Sequence, residues 1–282
     1  MNKYSSRDIN FTRWLFRAYL VLLFLAPLPL GSNRPVFWSV MVGAVALLAL
    51  VWAVGWLAGV ARWPSGMKRA QWALVALGLF VVWGGVQLGA QLIAESPRGA
   101  APTGFFLGTV DPQASADALL LSLGLFLIAA LTLILVRSKR RALQLLYTLV
   151  LAGLFQAVYG SLMLLSGVEF GFFEPKEYGL GRATGTFINR NHFANLLLLS
   201  LSAGAGLLLA QMDLRGATSM RQRARTLLQA ALGPKARLRI FMILMVIALV
   251  LTRSRMGNTA FFAAITLVGV FALWRLREPS RP

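Results

Sequence analysis

Cysteine is absent from all 282 residues, and histidine occurs once, at His192. The first absence excludes disulfides, thiolate metal sites and a cysteine nucleophile. The second leaves no pair of histidines for a zinc site, so neither a metal nor a cofactor is expected. Acidic side chains are scarce too, with 9 Asp and Glu against 28 Lys and Arg and a net charge of +19. In a soluble chain that imbalance would point to nucleic acid. The chain also lacks the polar surface of a soluble domain: 58% of it is hydrophobic, and its mean hydropathy is +0.70. Long apolar runs at this composition mark a polytopic membrane protein, whose cytoplasmic loops collect Lys and Arg. A lipid bilayer is therefore the expected partner, and nucleic acid is not.

The expected fold is an all-α membrane helix bundle, a single transmembrane domain over residues 1–282. A basic lead (Lys3, Arg7, Arg13) precedes the first apolar run, and Pro27 and Pro29 stand where a cleavage site would need small residues. That pattern reads as a retained signal anchor. Spans of roughly 20 residues fit at about 13–30, 36–61, 70–94, 116–136, 142–166, 192–211, 238–253 and 257–275. With this partition 21 of the 28 Lys and Arg fall on the side of the N-terminus, which places both termini in the cytoplasm. A basic cytoplasmic loop covers about 212–237, where Leu227, Leu228 and Leu232 recur at a spacing suited to the anionic inner leaflet. Its plainer role is to set orientation. Two outer loops, about 95–115 and 169–191, are rich in Gly, Pro and aromatics and long enough to be functional.

Arg182, Arg190, Arg253 and Arg255 flank the last three spans on the side where positive charge is disfavoured, which calls for a reason. Arg190 stands at a helix start, where the macrodipole repels a cation. Asn189 or Asn191 can cap that helix. A capping amide, free N–H groups and arginine pointing one way make an anion site. Arginine's planar fork suits a diphosphate and stays charged when desolvated. Taken singly, each of these residues reads more simply as a snorkelling arginine or a turn former; their convergence carries the functional reading. His192, in the first helical turn, reads as a packing or substrate-binding neighbour rather than the catalytic base. Within the membrane, Gln87 with Gln91 and Gln156 with Tyr159 suit either a polar cleft or interhelical hydrogen bonds. Most of the tryptophans fall near span ends, as interfacial anchors do.

The stretch GTFINRNHFANLLLL resembles the G-T-F-x-N-x-N-H-x-A signature of the O-antigen ligase and polymerase superfamily. LTRSRMGNTAF resembles its T-x-S-R-x-G segment, and APLPLGSNRPVFW and TVDPQASADALL agree in order, so the resemblance touches the chain from about residue 26 to 275. It implies a metal-independent glycosyltransferase of the bacterial inner membrane, active in surface polysaccharide biosynthesis. The implied donor is a glycan on undecaprenyl diphosphate, handled at the periplasmic face, and the acceptor is a glycan or lipid A-core. Arg190 and Arg255 match the family's arginines and would carry catalysis by holding the diphosphate. Arg182, Asn189, Asn191, His192 and Arg253 complete the expected binding set. The second histidine-bearing motif usual in the family does not occur up to Pro282, so the general base is not identified.

Two other classes stand beside the enzyme. A lipid-linked glycan transporter would carry ionisable or broken segments near mid-membrane; here no acidic residue falls mid-span and the polar cluster lies at one face, which favours the enzyme. An inactive membrane scaffold is the third. Ligase and polymerase are not separable from these residues.

Overall fold

The computed structural model describes residues 6–64, 67–94, 108–171, 175–210 and 236–277. Most of the basic loop 212–237 and of the outer loop 95–115 lies outside them. The described residues form eight α-helices, one for each expected span: α1 (Ser6–Leu25), α2 (Pro35–Leu57), α3 (Met67–Ala94), α4 (Pro112–Leu135), α5 (Lys139–Ser166), α6 (Arg190–Leu209), α7 (Ala236–Leu251) and α8 (Arg255–Arg277). Among them no strand occurs, and one isolated bridge pairs Phe170 with Pro175. The fold is an all-α membrane helix bundle. Five helices, α2 to α6, are long and apolar enough to cross a bilayer.

Several boundaries differ from expectation, those of α1 and α2 for evident reasons. Helix α1 begins at Ser6 and stops at Leu25, before Pro27 and Pro29, rather than running from 13 to 30. Proline lacks the N–H that continued helix requires. Helix α2 stops at Leu57 because Gly59 takes φ +71° and the amides of Val60 and Ala61 turn back to the Gly55 carbonyl. This is how helices end on a left-handed glycine.

The chain divides into two compact units: Met1–Leu22 with Arg34–Ala142, and Leu23–Asn33 with Leu143–Pro282. In the first, α4 packs against α2 and α3. Helix α1 buries Asp8, Thr12, Leu15, Phe16 and Tyr19, a stripe at helical spacing. A buried carboxylate is costly unless paired. Asp8 is paired: Arg137 Nη1 lies 2.9 Å from its Oδ2, and the Arg62 amide donates to its Oδ1 at 3.0 Å. Arg137 also donates to the Arg62 carbonyl at 2.7 Å, and Arg141 donates to Thr12 Oγ1 at 3.1 Å. One acidic residue thereby ties the start of α1 to the α2–α3 and α4–α5 connections. Nearby, Trp52, Trp56 and Trp63 pack with ring centroids 5.4 to 6.4 Å apart at the end of α2.

In the second unit α6 packs against both α7 and α8. Its core joins Val150 and Ala157 of α5 to Phe193, Leu197, Leu201 and Leu207 of α6 and to Met245, Leu249 and Phe261. Close approach needs small residues. A Cβ on Gly153 would collide with the Ser200 side chain, which donates to the Leu149 carbonyl at 2.9 Å. A Cβ on Gly257 would lie 2.7 Å from Ala194 Cβ, so that glycine sets the α6–α8 distance.

Candidate functional site

One end of the second unit gathers the α1–α2 connection, the 175–189 segment and the starts of α6 and α8. Its centre is Gln156, which is fully buried in α5. The Gln156 Nε2 donates to Thr186 Oγ1 at 2.8 Å and to the Pro27 carbonyl at 3.1 Å, while its Oε1 accepts from the Thr186 amide at 2.9 Å. Thr186 Oγ1 also donates to the Pro27 carbonyl, at 2.9 Å. The Pro27 carbonyl, beyond the last turn of α1, also accepts from the Gly31 amide at 3.2 Å, so these side chains reinforce a backbone turn. Of the two uses open to Gln156, the structure shows packing through hydrogen bonds. Gly160 makes room: a Cβ there would stand 2.6 Å from the Gly185 nitrogen.

From this anchor the chain reaches the first turn of α6. Asn189 caps the helix, its side chain accepting from the Asn191 amide at 2.8 Å. Asn191 does something else: its Oδ1 accepts a 2.9 Å hydrogen bond from Ser254 Oγ. Ser254 in turn caps α8, accepting from the Gly257 amide at 3.2 Å. Two helix N-termini are thus joined through a single hydrogen bond from the cap of α8 to the first turn of α6. Arg190 adjoins one of its partners and Arg255 the other. Thr252 and Ser254 are buried on either side of the exposed Arg253, and Ser254 N donates to Thr252 Oγ1 at 3.0 Å. Arg182 is brought in by its neighbour, since the Ala183 amide donates to the Leu251 carbonyl at 3.1 Å. His192 is exposed on the first turn of α6.

The sequence-expected set is therefore assembled at one end of this unit, and four participants were missed. Ser254, Thr186 and Thr252 were not singled out, although a Ser just before a helical run is a capping signal. Asn258, one turn into α8, has a buried Oδ1 with no hydrogen-bond partner among the described residues. Also unforeseen is the backbone. Leu30, Gly31 and Ser32 take φ of 51°, 65° and 53° in succession, and Arg253 takes 52°. Leu30, Ser32 and Arg253 are the non-glycine residues with positive φ among those described, and all belong to this end of the unit. The turn is held by Ser32 Oγ donating to the Ala26 carbonyl at 2.5 Å, and Phe187 packs on Gly31 so closely that a Cβ there would collide with its ring. Left-handed backbone at residues with a Cβ is costly, and such strain gathers where function over-determines the structure.

Nothing among known proteins settles the identity. No protein-family model matches the chain, and neither a curated protein nor a solved structure matches it. What the arrangement can do follows from its chemistry. Two adjacent helix N-termini and several arginines offer an anion partial and full positive charge together with directed N–H donors. Among the described residues no group of His, Asp or Glu is placed to hold a metal ion.

Proposed function

We propose that this end of the second unit binds the diphosphate of a lipid-linked glycan, and that the protein is a glycan ligase or polymerase of the bacterial inner membrane. The reading rests on the Asn191–Ser254 hydrogen bond of 2.9 Å, which joins the immediate neighbours of Arg190 and Arg255 although 65 positions separate the two arginines in sequence. Each arginine occupies a first helical turn where cation and dipole repel. Such a conflict is relieved by an anion. Three of the four sequence segments that resemble the O-antigen ligase and polymerase superfamily add to this reading, since GTFINRNHFANLLLL, LTRSRMGNTAF and APLPLGSNRPVFW supply the parts of one site.

In this reading Arg190 and Arg255 hold the diphosphate and stabilise it as it leaves the sugar C1, with charge developing on its oxygens. Arg182, Arg253 and His192 flank the donor, and Asn189 and Asn191 act through the helix starts that they cap or join. The acceptor is a hydroxyl of a glycan or of lipid A-core, and its activation would need a general base.

Binding of undecaprenyl diphosphate glycan to the purified chain in nanodiscs tests the proposal. Arg190→Ala and Arg255→Ala should each weaken binding by about 10-fold or more, as loss of a charge-assisted contact of about 1.5–3 kcal/mol implies. Arg190→Lys should lose less, because charge is kept and the fork is lost. His192→Ala should bind nearly as the natural protein does. Undiminished binding in both alanine variants would refute the shared site.

A further inference from the structure

Helix α5 carries a stripe of exposed apolar side chains, Leu151, Phe155, Val158, Leu162 and Leu165, at alternating spacings of four and three. That is one face of a helix, and in a membrane-spanning helix an exposed apolar face meets acyl chains. The chain that follows does not leave this face. Gly167 takes φ +70° and donates back to the Leu164 carbonyl, ending α5 in a tight reversal. Tyr159 OH then donates to the Phe170 carbonyl at 3.2 Å. Tyr159 lies two turns, about 10 Å of helix, before Ser166, so the segment folds back along α5 rather than rising away from it.

The segment is chemically prepared for that depth. One of its acidic residues, Glu169, is paired with Lys176 at 3.2 Å, both side chains nearly buried, and Glu169 Oε1 also accepts from the Gly181 amide at 2.6 Å. Lys176 N donates to the Glu169 carbonyl at 3.0 Å, which closes the loop on itself. With this pair neutralised inward, four large apolar side chains face outward beside the exposed Glu177: Val168 is 58% exposed, Phe170 41%, Tyr178 76% and Leu180 60%. The lipid-facing stripe of α5 is continuous with Val168 and Phe170, and aromatic residues with one polar end suit the boundary between headgroups and acyl chains.

We propose that residues 167–171 and 175–181 form a membrane-interface anchor, with Val168, Phe170, Tyr178 and Leu180 seated in the phospholipid leaflet at the end of the second unit where α6 and α8 begin. The occupant is lipid rather than a second protein, because the surface continues one that acyl chains cover. The anchor holds the arginine cluster at headgroup level, where a lipid-borne phosphate would present itself.

The chain's lack of cysteine makes the test direct. Single-cysteine variants Tyr178→Cys and Leu180→Cys are labelled with an environment-sensitive fluorophore in the full chain, in liposomes of phosphatidylethanolamine and phosphatidylglycerol, with Leu162→Cys as the lipid-facing reference. Both loop positions should emit at blue-shifted wavelengths and be quenched by lipids spin-labelled high on the acyl chain, to at least half the extent seen at position 162. Water-like emission, quenched by aqueous iodide and not by spin-labelled lipid, would overturn the anchor. Blue-shifted emission that spin-labelled lipid fails to quench would overturn it as well, in favour of a protein partner. Either result leaves the diphosphate site standing, since that reading is tested by Arg190 and Arg255.

Discussion

Replacing Arg253 by glycine should stabilise the protein while weakening its anion site. Arg253 holds φ at +52°, in the left-handed region where a residue with a Cβ costs about 1–2 kcal/mol. It cannot relax, because Thr252 and Ser254 on either side are buried and bonded, Thr252 Oγ1 to the Leu249 carbonyl at 2.6 Å and Ser254 Oγ to Asn191 at 2.9 Å. Glycine takes this conformation freely, but it adds freedom to the unfolded chain worth about 0.4–1 kcal/mol. The net gain should be about 0.5–1 kcal/mol. Arg253→Ala supplies the control, losing the same guanidinium and keeping the strained backbone, so it should be no more stable than the natural protein. Reversible denaturation in mixed micelles measures both, and diphosphate-lipid binding should fall equally in the two variants. An Arg253→Gly protein no more stable than Arg253→Ala would refute the strain argument. Undiminished binding in both would remove Arg253 from the site.

Three further outcomes follow from the packing and from charge. Gly160→Ala would press a Cβ to 2.6 Å from the Gly185 nitrogen, a backbone atom with no room to move, whereas a Cβ on Gly43 meets nothing within 4 Å. The first should cost about 1–3 kcal/mol by overpacking and the second should gain up to about 1 kcal/mol in helix propensity; equal stabilities in denaturation would contradict the close approach of α5 to the 185 turn. Gln156→Leu leaves the Thr186 amide without its buried acceptor while Thr186 Oγ1 keeps the Pro27 carbonyl, so it should destabilise by about 1–3 kcal/mol and lower diphosphate binding by loosening the turn ahead of Asn189. A variant as stable as the natural protein would show that this node is dispensable. Charge asymmetry predicts that an impermeant thiol reagent added outside intact cells labels Gln113→Cys, exposed at the start of α4, and spares Lys139→Cys, and external labelling of position 139 would overturn the orientation.

The helices were legible because the bilayer imposes a length on apolar runs, so all eight showed in composition alone and erred only at their ends. The same logic failed for Asp8. It follows Arg7 in the basic lead and was not singled out, yet it lies in the first turn of α1 and is buried against Arg137, 129 positions away. A buried ion pair is a property of tertiary partners, and no local pattern announces it. The turn at Leu30 to Ser32 was half legible: Pro27, Pro29 and Gly31 signal a break in helix, but left-handed backbone at Leu30 and Ser32 depends on Phe187 and on Ala26. Gln156 was visible as a polar residue within an apolar helix, and only its partners decide that it is structural.

Within GTFINRN the residues now divide by what they touch. Gly185 fits under Gly160, Thr186 bonds Gln156 and Pro27, Phe187 packs on Gly31, Asn189 caps α6 and Asn191 holds Ser254. Each has its chemistry satisfied by the protein, so each is explained by the fold. Arg190 is not: no hydrogen bond or ion pair holds its guanidinium among the described residues, and its place at a helix start is electrostatically unfavourable. The same holds for Arg255 at the start of α8. Five residues of this stretch thus serve the fold and leave two arginines without partners among the described residues, at the starts of α6 and α8, and the proposed anion site rests on that contrast.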